Sequence, residues 1–330
     1  LIEAIQTPPE IFDDTMLYLN IYTGGLVFLF FYNIATGIFA SLGDSRTPFL
    51  FLAASSIANI ALDVVFVTAF QMGVAGVAWA TFLCQGVSCV LAVLALFRAL
   101  LRMEADEPPH LFSGRILLNL VKVALPSTLQ QCFVSVGNIL IQSIINGFGT
   151  SAIAGYAAAI KFNNFAVTSF NTLGNGMSNF TAQNLGAMQT VRVREGYKGC
   201  LKMMAGIATL FVLVYVFFGG QVIRLFLNDE NSGSLAVGVE FLLIVSPFYY
   251  AVALKLATDG VLRGASRMTE FMTDTFVDLA MRVALSFILA GPFGLTGVWW
   301  SWPVSWCVSS GLSVLFYRRG RWANLGSAEP

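Results

Sequence analysis

The sequence predicts an all-helical bundle that crosses a membrane many times, and three observations carry that expectation. Hydrophobic residues make up 57% of the 330 residues and charged residues only 11%, a composition outside the range of water-soluble domains. The apolar residues fall in runs of about twenty or more, the length a helix needs to cross hydrocarbon. The chain also repeats itself. With a shift of 221 residues, Gly43-Asp44-Ser45-Arg46 falls on Gly264-Ala265-Ser266-Arg267, and Gly73, Gly76 and Trp79 fall on Gly294, Gly297 and Trp300. Between 43–98 and 264–319, fifteen of fifty-six positions are identical without a gap, which marks two related halves.

Nine spans are expected, in order 17–42, 49–70, 74–98, 116–146, 151–184, 196–227, 236–262, 269–291 and 294–317. Backbone N–H and C=O groups find no water in hydrocarbon, so each span must satisfy them internally as a helix. Runs this long do not suit the short alternating strands of a membrane barrel. Pro247 and Pro303 fall inside spans and remove backbone donors, so bends are expected there. The segment 103–115, with Glu104, Asp106, Glu107, Pro108-Pro109 and His110, reads as a linker between a partial first lobe, 1–102, and a second lobe, 116–330. If the second half starts near Arg115, its partner would start about 100 residues before Leu1, so the first half is expected to be incomplete. Residue 1 is Leu, and no charged stretch with a short apolar core and cleavage site comes before the body.

Orientation follows from charge. If the segment before Tyr18 is external, the internal loops and helix ends collect Arg46; Arg98, Arg102, Arg115, Lys122; Arg192, Arg194, Lys198, Lys202; Arg263, Arg267; and Arg318, Arg319, Arg321, fourteen of the eighteen basic residues. The opposite loops are uncharged, or acidic as at Asp229-Glu230, which places the C-terminus in the cytoplasm and the protein in the plasma (inner) membrane. The basic residues are therefore topology signals, and without interleaved aromatic residues they do not suggest nucleic-acid binding. The five cysteines, Cys84, Cys89, Cys132, Cys200 and Cys307, form no CxxC pair and read as small core residues; with His110 the only histidine, no metal site or His-based enzyme chemistry is expected.

Polar side chains retained in hydrocarbon are the functional candidates. Asn59 and Asp63 are four apart on one face of the second span, where they could meet one ion, with Thr81 completing an oxygen shell and Tyr18 donating to the carboxylate. The plainer alternative is a helix-end aspartate in headgroup water. In the second half, Gln131, Ser135, Asn138 and Gln142 form a stripe at steps of three and four, and Lys161, Asn164, Thr168, Asn171, Asn175 and Asn179 form another on the next span. These stripes line a cavity or act as interhelical glue, and the number of amides favours a cavity. Lys255-Asp259-Arg263 and Asp278-Arg282 supply i,i+4 pairs that read as mutually neutralised ions; Asp259 or Asp278 bridging to Lys161, which needs a partner near the midplane, is the sharper alternative.

Together, Gly43-Asp44-Ser45-Arg46-Thr47-Pro48, the Asn59 to Asp63 stretch, Gly73 to Thr81, Leu125-Pro126 and Gly260-Val261-Leu262-Arg263-Gly264 resemble the multidrug and toxic compound extrusion (MATE) family of secondary transporters over essentially the whole chain. The resemblance implies twelve helices in two six-helix lobes, of which nine are present here as a C-terminal portion lacking the first three. It further implies monomeric export of organic cations and other amphiphiles through the lipid bilayer, in exchange for Na⁺ or H⁺ and without a cofactor. By motif, Tyr18, Asn59, Asp63 and Thr81 match four of the family's first-lobe cation ligands; the fifth, an aspartate on the family's first helix, falls before this sequence. Where other members carry a glutamate and an aspartate in the second lobe, this sequence has Val134 and, near the second position, Val252. A flippase for lipid-linked oligosaccharides from the same superfamily would call for a cationic cavity, for which only Lys161, Lys255 and Arg282 are available. A non-transporting scaffold or gene remnant is the alternative from another class.

Overall fold

The computed structural model describes residues 9–103, 112–227 and 232–323. The expected linker's Glu104 to His110 and the acidic pair Asp229-Glu230 lie outside them. The chain divides into two compact units, 1–111 and 112–330. The first holds α1 (Pro9–Ser41), α2 (Arg46–Thr68) and α3 (Gly73–Leu101). The second holds α4 (Gly114–Asn146), α5 (Thr150–Gly186), α6 (Thr190–Arg224), α7 (Ser232–Val245), α8 (Tyr249–Gly264) and α9 (Met268–Arg318).

In the first unit α3 is the central element and packs against both α1 and α2, while α1 and α2 barely meet. Ala35 and Phe39 of α1 close on Ala92 and Leu96 of α3. Outside that small core the surface is apolar all round: Ile57, Ile60 and Phe97 are each more than half exposed. Such a surface would be costly in water and is what a helix facing lipid requires. The Gly43-Asp44-Ser45-Arg46 motif starts α2. Gly43 takes a positive φ of 83°, and the Asp44 carboxylate accepts from the backbone N–H groups of Arg46 and Thr47 (3.0 and 3.1 Å) and from the Thr47 hydroxyl (2.6 Å). These donors, the Thr47 hydroxyl first, hold the Asp44 carboxyl below its ordinary range.

Seven helical stretches among the described residues are long and apolar enough to cross a membrane, against nine spans expected. Two physical reasons account for the difference. The polar stripe of α5 takes it out of that set. The expected spans 269–291 and 294–317 run together in the 51-residue α9, which is broken at Gly294 (φ 60°, ψ −142°). A straight 51-residue helix would be roughly 75 Å long. Instead Ser286 meets Ser301, Arg282 meets Ser305 and Asp274 meets Ser313. Each pair is equidistant from the 293–294 bond, so α9 is a hairpin of two antiparallel limbs. Its turn repeats that of the first unit. Gly73 and Gly294, equivalent in the 221-residue repeat, both have positive φ (54° and 60°). Gly76 and Gly297, also equivalent, both bring the second helix against the first, at Phe66 and Leu289.

The expected bend at Pro247 is present as a 3₁₀ turn, Ser246–Phe248, that separates α7 from α8. Pro303 lies inside a limb of α9, and the break falls at Gly294 instead. A residue that can take positive φ allows full reversal, whereas a proline removes only one donor. The expectation of five core cysteines also needs correction: Cys84 and Cys89 are buried, Cys200 is half-buried, and Cys132 and Cys307 are exposed.

The second unit is built around α5, which packs on α6, α7 and α8, while α4 packs mainly on α9. Its core is aromatic. Trp299 is fully buried, stacked on Tyr156 at 5.5 Å and edge-on to Phe241 at 5.1 Å. Where α5 crosses α8, Gly260 sits against the backbone carbonyl of Gly174 and Gly264 against that of Ser178, so a G-x-x-x-G pair brings two backbones together as membrane helices commonly require. A methyl group at Gly264 has nowhere to go. Gly264→Ala is expected to destabilise the unit by about 1–3 kcal/mol, whereas Gly206→Ala, with nothing within 4 Å of the added carbon, is expected to be neutral or slightly stabilising. Thermal unfolding of the two purified variants in one detergent checks the contrast.

Candidate functional site

Two polar sites lie inside these apolar helices, one in each unit. In the first unit Ser55, Asn59 and Asp63 share the face of α2 that looks towards α3, where the Ser55 hydroxyl donates to the Cys84 carbonyl at 3.1 Å. Both Asn59 and Asp63 are half-buried. The Asn59 amide nitrogen and the Asp63 Oδ1 are buried without a hydrogen-bond partner, so two adjacent groups of opposite hydrogen-bonding sense point into protein unmet. Thr81 is half-buried on α3. Tyr18 stacks on Tyr22 along α1, with ring centroids 6.0 Å apart. Among the described residues no hydrogen bond joins Tyr18, Asn59, Asp63 and Thr81. The four stand on three helices of one bundle but do not form a closed shell.

The second unit encloses a cavity of about 370 Å³. From α4 it is lined by Gln130, Gln131, Val134 and Asn138; from α5 by Asn163, Asn164, Thr168 and Asn171. Lys255, Asp259 and Arg263 of α8 and Asp278, Arg282, Trp302 and Trp306 of α9 complete the polar wall. Helical periodicity explains the grouping: on α4 and α5 the wall residues recur at steps of three and four, so each helix turns one amide-bearing face inward and an apolar face outward. Val134 and Val252 both reach this wall.

Not every expected position reaches it. The Ser135 hydroxyl donates to the Gln131 carbonyl of its own helix (3.0 Å), and the Gln142 amide donates to Asn146 (2.8 Å), so these two satisfy themselves locally. The Asn175 side chain accepts from Arg263 at 2.7 Å, bracing α5 against α8 beside the cavity. Lys161 is the clear correction. It stands exposed over the Phe226 ring, 4.4 Å from the centroid, and neither Asp259 nor Asp278 bridges to it. Its long stem carries the ammonium away from the bundle interior, and an aromatic face takes the place of a carboxylate.

Two of the expected intrahelical pairs form, while Arg263 pairs with Asn175 and not with Asp259. Lys255 Nζ lies 2.7 Å from Asp259 Oδ2, and the Arg282 guanidinium lies 2.6 Å from Asp278 Oδ2. Arg282 also packs over Trp302 at 4.6 Å and reaches the Ser305 hydroxyl at 3.4 Å. Sequence reasoning missed Asp274, which is fully buried and 2.9 Å from Lys255 Nζ. Its place four residues before Asp278 was a signal, but its cation comes from α8, and helical spacing within one chain segment cannot show a contact between helices. Gln130, which donates to Thr275 at 3.0 Å, and the tryptophan pair were missed for the same reason. Three cations, Lys255, Arg263 and Arg282, and two carboxylates, Asp259 and Asp278, line the cavity, with Asp274 buried behind Lys255; the remaining wall is amide and indole. Such a wall suits a small amphiphile with an apolar ring and a few polar groups.

The MatE family model matches residues 1–65 and 126–307. The chain is 26% identical over 324 residues to the probable multidrug resistance protein YpnP of Bacillus subtilis, a match covering 98% of this chain and 72% of that protein. It is 23% identical over 331 residues to the probable multidrug resistance protein NorM of Thermotoga maritima, covering 95% and 68%. The fold is similar to that of a mutant of the Vibrio cholerae MATE transporter VcmN, with a TM-score of 0.87 over 97% of this chain and 72% of that one at 18% identity.

The cavity reading predicts a pattern of chemical access. In a background lacking the five cysteines, single cysteines replacing Asn138, Asn164, Thr168 and Asn171 are expected to react with a membrane-impermeant thiol reagent. A cysteine replacing Asn163, which is 1% exposed and accepts from the Tyr249 hydroxyl at 3.2 Å, is expected to be at least about tenfold slower, because a reagent of that size must first open the helix contact. Mass-spectrometric labelling rates in membrane vesicles check the contrast.

Proposed function

The chain belongs to the MatE family, and we propose that it is a membrane exporter of amphiphilic organic cations and related small molecules, driven by antiport of Na⁺ or H⁺ and not an enzyme. The observation that carries this reading is the cavity of about 370 Å³, walled by amides, paired charges and two tryptophans, inside helices whose outer faces are apolar. A polar wall of that kind is expensive in hydrocarbon and is kept where a solute must pass. The multidrug names of the relatives support the substrate class. Counting α7 with α8, both limbs of α9 and the amide-bearing α5, the chain crosses the plasma membrane nine times, with the basic helix ends and the C-terminus in the cytoplasm. It works as a monomer with lipid as its solvent and no cofactor. The cations of the wall are each engaged by the protein, Lys255 and Arg282 by carboxylates and Arg263 by Asn175, which disfavours the lipid-linked oligosaccharide flippase and its need for a free cationic wall.

In this reading Asp63 is the coupling residue of the first unit and Asn59 its neutral partner, with Thr81 of α3 and Tyr18 of α1 as further oxygen ligands. Their unmet polar atoms are the support for this assignment. Asp63→Asn keeps the volume and removes the charge, so gradient-driven export of a fluorescent cation is expected to fall to the level of cells lacking the protein. Stability in detergent is expected to change by less than about 0.5 kcal/mol. Export at the unsubstituted rate would remove Asp63 from the coupling role.

A further inference from the structure

Beyond the first-unit site, the second unit holds a group of ions whose charges do not cancel locally. Lys255 of α8 contacts two carboxylates at once, Asp259 Oδ2 at 2.7 Å and Asp274 Oδ2 at 2.9 Å. The Ser313 hydroxyl lies between the same two carboxylates, 3.2 Å from Asp259 Oδ1 and 2.8 Å from Asp274 Oδ2. Asp259 is 1% exposed and Asp274 is fully buried. One ammonium therefore faces two carboxylates, one on the cavity wall and one fully buried behind it.

The surrounding groups do not supply the missing positive charge at contact distance. On α9, Arg282 is committed to Asp278. On α8, Arg263 donates to Asn175 and stands at the helix end. From α6 comes only the Tyr197 hydroxyl, bonded to Thr258 at 2.8 Å. From α4 and α5 come amides, and Tyr156 faces Arg282 instead. The second carboxylate oxygen of Asp274 is buried with no partner at all. An ionised oxygen left without a donor is strongly disfavoured in such a medium, and a protonated one much less so.

From this geometry we propose that Asp259 and Asp274, clamped by Lys255 and Ser313, form a second proton-binding site that holds one proton between two carboxylates. Lys255 occupies the position between the carboxylates where a metal cation would otherwise sit, which makes the exchangeable ligand a proton rather than Na⁺. Lys255 and Asp259 lie on the cavity wall and Asp274 behind them, so water or solute entering the cavity reaches the pair through Asp259. The proton leaves to water when the cavity is wet, and the ammonium then holds both carboxylates; it returns when the cavity closes. This rests on the exporter reading only for the use made of the proton, and its presence is tested without transport.

The test is infrared spectroscopy of the purified chain, recorded in the Asp63→Asn background so that the other candidate carboxyl contributes nothing. We expect a protonated-carboxyl C=O band at neutral pH that shifts in D₂O. It is lost in both Asp274→Asn and Asp259→Asn, because either remaining carboxylate is neutralised by Lys255. It shifts in Ser313→Ala and grows about twofold in Lys255→Met, where both carboxyls need a proton. Absence of the band before any second substitution, or its persistence in either single Asn variant, would overturn the proposal. The band's absence can be read even if the variants fail to fold, and neither result depends on whether Asp63 couples export.

Discussion

The constraint on which the rest of the structure depends is that a buried charge in a membrane bundle must find its partner inside the protein. Lys255 is where that constraint is felt most strongly. Its ammonium holds α8 to itself through Asp259 and to α9 through Asp274, and Ser313 of the returning limb of α9 closes the same group. Three helical segments are thus pinned at one point. Removing Lys255 would leave two buried carboxylates without their cation, at a cost of about 3–5 kcal/mol, more than most apolar contacts supply. The tight turn at Gly294 brings the returning limb of α9 back along the first, so that Ser313 meets Asp274.

The same constraint divides polar residues into those that serve packing and those left for a solute. Ser286, Ser301, Ser305 and Ser310 are buried but each returns its hydroxyl to a backbone carbonyl one turn away, so they thin the helix contact without leaving an unmet group. Asn138, Asn164, Thr168 and Asn171 face open space instead. The difference is positional: Ser286, Ser301 and Ser305 lie where the two limbs of α9 press together, Ser310 meets α8 at the Ala251 carbonyl, and the amides lie on the cavity wall. Trp302, whose ring carries Arg282 on one face, has an indole nitrogen with no partner and stands on the cavity wall, so it adds a donor beside a flat apolar surface.

Much of this was legible in the sequence because membrane helices obey few rules. Run length marked the apolar stretches, seven of which stand as helices long enough to cross a membrane, the 221-residue repeat aligned Gly73 with Gly294, which make the same turn, and three- and four-residue steps marked Gln131, Asn138, Asn164, Thr168 and Asn171, which reach the cavity. The intrahelical pairs Lys255–Asp259 and Asp278–Arg282 were readable for the same reason. What the sequence could not carry was the relation between helices. Asp274 gave no sign of its role because its cation is on another helix, and Lys161 looked in need of a partner near the midplane because depth along a helix says nothing of which way a long side chain leaves it.

The two units solve the problem of a buried carboxylate in different ways, and the repeat makes the comparison direct. Shifted by 221 residues, Asn59 and Asp63 fall on Ala280 and Ala284, while Ala53 and Ile57 fall on Asp274 and Asp278. The acidic positions have thus moved along equivalent helices, towards the end that follows the Gly-x-Ser-Arg turn. In the first unit Asp63 has a neutral amide one turn away, and the one cation of α2, Arg46, stands at the other end of the helix, seventeen residues earlier. In the second unit the chain supplies its own cation from α8, which leaves room for a proton and none for a metal ion. A duplicated scaffold can therefore hold two sites of different ion chemistry, because each depends on which helix carries the counter-charge and not on the fold the halves share.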